Sequence, residues 1–453
     1  MGAGSAQALG RGQKSAAHCA PSPTSHRRTP RGGGLLRERP HQKGLITSRP
    51  PAKLAMMRGP TAGPVHFMPT SSDPAWSSAP LALIEAPLIP RPWGGLRLAE
   101  LKGEPASAKR IGESFEAACD PTDGEAAAHP STVAHPNGNR ASLPALLAAQ
   151  DVAMLGAEVV AQEGPRLPLL PKFLDVAGLL SVQAHPSGNP ELYVVLEAGP
   201  KAALHLGFKE SLDPAPWLAR WQDALAKLPA LEAAAGDFDA FNRWCLGEDN
   251  ASLASLPEAL RADAKTLRQL NAETLSLMNR IPLKAGDVLF NAQEDDDGRL
   301  SAAVHALGTA HGDAGQALIL EIRRPGVTYR AWDHGRLPQR EVDPATALTA
   351  SPLQATRPDN FRVTIQPGPI ACLARCEAFT AWRLAPDDGA PLQRHTDDRV
   401  RTLHVLEGTA LIESAGGALR LRRGQSALLP ARLGSWTLTG PAVAVEAAPG
   451  AVR

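Results

Sequence analysis

The sequence offers no disulfide framework, no stretch long enough to span a bilayer and almost no net charge. Its five cysteines, Cys19, Cys119, Cys245, Cys372 and Cys376, are scattered and odd in number. That excludes a disulfide-stapled secreted scaffold and predicts a reducing, cytoplasmic setting. The Cys372/Cys376 pair lacks a partner pair and reads as two small core residues. No run reaches the ~18 apolar residues that a membrane span requires, and the N-terminus lacks the short apolar core of a secretory signal; a soluble protein is expected, with no membrane partner. Lys and Arg number 47 against 46 Asp and Glu, a net charge of +1, so no global field attracts nucleic acid or an anionic membrane. Any surface that recognises phosphate has to be local. Aromatic residues make up only 4%, with 2 tyrosines, while Ala, Gly and Pro abound; a GC-rich genome explains that skew as readily as any structural demand.

What is present falls into segments. Residues 1–78 are rich in Gly, Pro, Ser and Arg, hold almost no acidic residues and show no periodicity, so they predict a disordered basic tail that cannot offset its ordering entropy by burial. Such ends also occur in nucleic-acid-binding and organelle-targeting segments; an unstructured extension is the expectation. Beyond it, apolar runs of strand length recur at Leu204–Phe208, Val288–Phe290, Ala317–Ile322, Val363–Ile365, Thr402–Leu406, Thr409–Ile412, Ala427–Leu429 and Val443–Val445, many separated by Gly, Pro and Asp. This is the punctuation of a sandwich or barrel. Between about 209 and 283, "PWLARWQDALAKL" and "LPEALRADAKTLRQLNAETLSLMNR" have helical spacing and good helix formers. The reading is a mainly β protein with a helical insertion over 209–283, splitting a first β domain into 79–208 and 284–345, and a second β module over 346–453.

Chemistry concentrates in "LLSVQAHPSGNPELYVVLEAGP", residues 179–200. On a strand, Gln183 and His185 share a face that Val182 and Ala184 do not. The turn-rich "PSGNP" predicts a five-residue loop that sets His185 opposite Glu191, with Cβ atoms roughly 4.5–5.5 Å apart. One amide oxygen, one imidazole and one carboxylate then converge, a set suited to a catalytic divalent ion. A plain His–Glu hydrogen bond on a sheet face is the competing reading. "AAVHALG" (302–308) adds His305 as a second imidazole.

Eight stretches carry a resemblance: "PRPWGGLRLAEL" (90–101), "IGESFE" (111–116), "PLLPKFLDVAGLLSVQAHP" (168–186), "NPELYVVLEA" (189–198), "KAGDVLF" (284–290), "VHALG" (304–308), "LEIRRPGVTYRAWD" (320–333) and "RRGQSALLPA" (422–431). In this order they resemble the type I mannose-6-phosphate isomerases of the cupin superfamily. The resemblance implies two cupin-type jelly-roll β-barrels, one zinc ion per chain, a phosphorylated hexose as substrate and aldose–ketose isomerisation through an enediol. By matching motif it implies Gln183, His185, Glu191 and His305 as metal ligands, and Arg330 and Lys172 as active-site cations. A monomer or weak homo-oligomer is expected.

Departures from the family pattern are specific. The His–Glu segment is short, and Asn189 stands where a lysine is usual. "NAQEDDDGRLSAAVHALG" replaces a tight Pro-Ala-Gly-Thr-type turn, its acidic run Glu294–Asp297 reading as a solvated loop, and Arg323 stands where glutamine is common. The sequence does not name the proton-shuttling base. Two rivals remain: another metal-dependent cupin enzyme, such as an iron oxygenase with similar ligands, and a non-catalytic sugar-binding or regulatory cupin. In "RHTDDRVRTLHVLEG", His395, His404 and Glu407 do not reproduce the first site's spacing, so the C-terminal module reads as structural.

Overall fold

Strands dominate, as the apolar runs and turn residues require, and they assemble into sheets that stay open. The computed structural model describes residues 75–450 apart from 106–108, 121–122, 249–252, 254–255 and 388–389. The expected tail therefore lies almost wholly outside the described residues, as does Cys19. Six antiparallel strands run in the order Val288–Asn291, Glu191–Ala198, Ala317–Ile322, Lys172–Val176, Leu88–Gly95 and Ile111–Phe115. Five more run Met278–Pro282, Ala203–Phe208, His305–Leu307, Val182–Ala184 and Tyr329–Trp332. The two sheets face each other across a core of Leu174, Val176, Tyr193, Val195, Leu204, Leu206, Leu307 and Ile319. The expected closed barrel is thus replaced by two facing sheets, since among the described residues no ladder joins one to the other.

Both faces of the six-stranded sheet are covered. Its second face packs Leu192, Val194, Leu318 and Leu320 against Phe379, Ala381, Val445 and Ala447 of a C-terminal sheet. That is why "ELYVVLEA" and "ALILEI" read as nearly unbroken apolar runs: each alternate residue has a core of its own to enter. Helices Pro214–Ala234, Phe238–Cys245 and Glu258–Leu277 lie in the segment expected to be helical. Their Trp221, Leu228, Leu231 and Leu267 bury Val182, Ala184, Val304, Ala306 and Trp332 from behind the five-stranded sheet.

Strand pairing crosses the division expected at residues 345–346. The C-terminal sheet contains Leu81–Ile84, paired antiparallel with Ser426–Leu429, and through it Thr132–Ala134 and Arg140–Ser142. The described residues 75–450 belong to one compact unit. "PRPWGG" proves architectural: a Cβ on Gly94 would sit 2.6 Å from Gly112 N, and one on Gly95 would sit 2.3 Å from Asp175 Oδ1. Asp175 also accepts the Arg97 and Leu98 amides, docking the helix Arg97–Lys102.

Helical structure is already present before the expected start at Ala79. Ala75–Ser78 forms a helical turn, and Trp76 is buried, edge-on to His135 with ring centroids 5.6 Å apart. A chain starting at Met68 should melt with the full-length protein. One starting at Ala79 should lose about 3–5 kcal/mol, the usual effect of deleting a buried Trp. Thermal unfolding of the two truncations decides it; equal stability would mean that Trp76 contributes nothing.

Candidate metal centre and active-site cavity

The inner faces of the two sheets bring polar side chains together at one end of the sandwich. Val182 and Ala184 enter the core on the helical side, so alternation turns Gln183 and His185 inward, as the sequence predicts. The predicted His185–Glu191 hairpin does not form. Val182–Ala184 belongs to the five-stranded sheet and Glu191–Ala198 to the six-stranded one, where Glu191 pairs with Asn291. "PSGNP" carries the chain from sheet to sheet, turning at Gly188 with φ 78°, because two prolines and a left-handed glycine suit a crossover as well as a hairpin. His185 and Glu191 therefore meet across the sandwich.

His305 arrives from the strand beside Gln183, its register partner. Ligand atoms of His185, Glu191 and His305 lie within 4.8 Å of one another, and all three residues are buried. His185 Nε2 is 2.8 Å from Glu191 Oε1, and His305 Nε2 is 3.4 Å from Oε2. The two imidazoles stack with centroids 5.2 Å apart. Each Nδ1 faces a carbonyl, Val327 O at 3.3 Å for His185 and Ala303 O at 3.0 Å for His305. A carbonyl only accepts, so both protons belong on Nδ1 and both Nε2 lone pairs point toward the carboxylate. Two lone pairs and a carboxylate aimed at one point repel unless a cation sits among them, and this donor set fits zinc.

Electrostatics agree. Burial lowers the His185 pKa, with Arg323 and His305 adding to it against Glu191. Burial alone would raise Glu191, but the imidazoles and Arg323 outweigh it and hold the carboxyl well below the usual range. Tyr193, raised by burial and by Glu191, keeps its proton and donates it to Glu191 Oε2. Gln183 lines the same cavity, its amide nitrogen donating to Ser181 Oγ at 2.9 Å.

The cavity has a volume of about 320 Å³, and its wall includes Gln183, His185, Glu191, Lys172 and Arg330. Lys172 sits between two carboxylates, 3.8 Å from Glu113 Oε1 and 3.9 Å from Glu321 Oε1. Arg330 stands in register with Gln183. Burial raises the Glu321 pKa, with Glu191 and Glu113 adding to it against Lys172 and Arg323. Arg323 is buried and reaches Glu321 Oε1 at 3.2 Å. Glu113, Glu321, Tyr193 and Asn291 are the contributors that sequence reasoning missed. A single charge inside "ALILEI" was the available signal for Glu321.

Other expectations change. Asn189 is buried outside the cavity wall; its amide donates to Arg324 O and accepts from Arg324 N. The acidic run is not wholly solvated. Asp295 Oδ2 accepts Ser187 Oγ at 2.6 Å and Ser301 Oγ at 2.7 Å, and Oδ1 accepts the amides of Asp297 and Arg299. Desolvation works against ionisation there, yet these bonds bring the carboxyl down to about 2. Asp295 thereby ties the loop after His185 to the hairpin before His305. Cys372 and Cys376 are half-buried, their thiols donating to Ala374 O at 3.7 Å and Phe379 O at 3.3 Å. His395 and Glu407 are exposed while His404 is fully buried, and among the described residues the three form no metal cluster.

Residues 103–201 match the catalytic domain of type I phosphomannose isomerase. The isomerase match spans Lys172, Gln183, His185 and Glu191 and stops before His305, Glu321 and Arg330. No curated protein matches the chain. Among solved structures, mannose 6-phosphate isomerase from Bacillus subtilis is similar at 18% identity with a TM-score of 0.55, covering 82% of this chain and 99% of its own. The Salmonella typhimurium isomerase, solved with its substrate fructose 6-phosphate and zinc, is similar at 17% identity and a TM-score of 0.56, covering 82% of this chain and all of its own. At such identities the likeness is one of fold. No helix among the described residues is long and apolar enough to cross a membrane.

Proposed function

We propose that the chain is a zinc-dependent aldose–ketose isomerase that interconverts mannose 6-phosphate and fructose 6-phosphate in the cytoplasm. The observation that carries this reading is the convergence of His185, Glu191 and His305 on one point of a charged cavity, in a fold shared with isomerases. His185, Glu191, His305 and Gln183 would hold the ion. A bound zinc supplies Lewis acidity, stabilising negative charge on the sugar's carbonyl and hydroxyl oxygens.

The chain's own residues do the rest. Moving a proton between C1 and C2 needs a carboxyl on the cavity wall, and Glu321, which lines that wall and whose pKa burial raises, is suited to that task. Lys172, within reach of Glu321 and Glu113, keeps positive charge where the enediolate forms. Arg340 is committed to Asp333 through two hydrogen bonds. The anion-facing role on that wall is assigned to Arg330, which lines it in register with Gln183 and whose planar fork matches phosphate or an enediolate.

A coupled assay on zinc-reconstituted protein tests the reading, with about one zinc per chain expected from elemental analysis. Arg330→Ala should leave zinc content unchanged and lower turnover about 100-fold if the guanidinium stabilises the transition state. If it only anchors phosphate, KM should rise with kcat nearly intact. Kinetics equal to wild type would remove Arg330 from the site. Asn189 favours a second reading, sugar binding without turnover, because the usual lysine is absent and the amide serves the backbone; full zinc with no isomerase activity would select it.

A further inference from the structure

The connection that delivers His305 runs over residues 292–304, and one side chain closes its base. Asn291 ends the strand Val288–Asn291, in register with Glu191, and is fully buried. Its Oδ1 accepts the Ala303 amide at 3.1 Å, and its Nδ2 lies 3.4 Å from Ala303 O. The side-chain amide thus imitates a ladder rung across residues 292–302, the hairpin of Gln293–Glu294 and Leu300–Ser301. The same Nδ2 is 3.3 Å from Glu191 Oε2 and also 3.3 Å from His305 Nδ1, and the Ala303 carbonyl that it helps to fix, closer to that nitrogen at 3.0 Å, is the group holding the His305 Nδ1 proton.

We propose that Asn291 is a positioning residue for the metal: one amide orients Glu191 directly and His305 through Ala303. An amide is suited to this and a carboxylate is not, because both a donor for Glu191 and an acceptor for the Ala303 N–H are required at once. Without it, Glu191 keeps the Tyr193 hydroxyl on Oε2, while the imidazole loses the fixed carbonyl that sets its tautomer. The inference rests on the zinc reading of the site but not on the isomerase reaction.

Asn291→Ala should weaken zinc binding 10–100-fold, the usual effect of removing an outer partner of a ligand, measured by competition with a chromophoric chelator. Cobalt-substituted protein should show a shifted visible absorption, which loss of stability alone would not produce. If the alanine variant does not fold, Asn291→Asp takes its place: it still accepts the Ala303 N–H but offers Glu191 no proton, so its cobalt spectrum should also depart from wild type. Zinc affinity within about threefold of wild type together with an unchanged cobalt spectrum overturns the proposal, whatever happens to the melting temperature. Wild-type protein that binds zinc but does not isomerise leaves this test readable and removes only the assigned reaction. Wild-type protein that binds no zinc overturns both.

Discussion

Glu191→Gln should empty the metal centre and abolish isomerisation while leaving the sheets assembled. The carboxylate is the one anion between two imidazole lone pairs, 2.8 Å from His185 Nε2 and 3.4 Å from His305 Nε2. Losing an outer partner costs a metal site 10–100-fold in affinity, so loss of the charged ligand itself should exceed about 100-fold. Glutamine keeps the volume and still offers an oxygen to Tyr193, so the core of Leu174, Tyr193 and Ile319 has no reason to rearrange. Glu191→Ala should give the same metal loss with a modest drop in stability, because the Tyr193 hydroxyl is left without its acceptor. The readouts are chelator competition for zinc and circular dichroism for the fold. A glutamine variant with a full complement of zinc would show that His185 and Glu191 are an ordinary hydrogen-bonded pair.

Acid should weaken the folded state well above the range in which carboxylates titrate. Burial brings His205 down to about 4, with Arg280 adding to it, and His334 down to about 4, with Arg336 adding. His404, buried beside Lys102, falls to about 3. All three have folded values depressed below the ~6.5 of an exposed imidazole. Between about pH 6.5 and 4 the unfolded chain therefore binds more protons than the folded one, and stability falls as pH falls. Each histidine contributes a limiting slope of about 1.4 kcal/mol per pH unit, so three give about 4. Chemical denaturation at pH 7, 6 and 5 should show the decline. His404→Gln, which can still reach Ser426 Oγ where the His404 Nδ1 contact of 2.8 Å is lost, should remove about a third of the slope. A stability profile flat over this range would mean that these rings are not held neutral.

The cluster of His185, Glu191 and His305 was legible because its signals are local. Alternation around Gln183 and His185 and a second histidine at 305 name the residues without knowledge of sheet membership. The hairpin expectation failed because "PSGNP" specifies a reversal but not the sheet into which the chain returns, which depends on where Val288–Asn291 and Ala317–Ile322 come to lie. The same limit hid Glu113 and Glu321. Each is a single carboxylate in a strand, and only the pairing of Lys172 with Glu321 and Phe115 makes them neighbours. The strand pattern left sandwich and barrel open and the closed barrel was expected only from the resemblance; closure is a property of the ladder that the pattern does not encode. Asn189 shows the reverse case. Its departure from the family was visible, but its two bonds to Arg324 were not.

The pairing of Leu81–Ile84 with Ser426–Leu429 sets a schedule for the newborn chain. Partners in this ladder are separated by about 345 residues, and a ribosome adding roughly 5–20 residues per second takes about 20–70 s to connect them. Throughout that interval Leu81 and Leu83, both destined for burial, lack one of their two neighbouring strands, and a ladder of such high contact order closes slowly even once it is complete. Shielding of that first strand during synthesis, by a chaperone or by docking on Thr132–Ala134, is therefore part of what this fold demands of its cell.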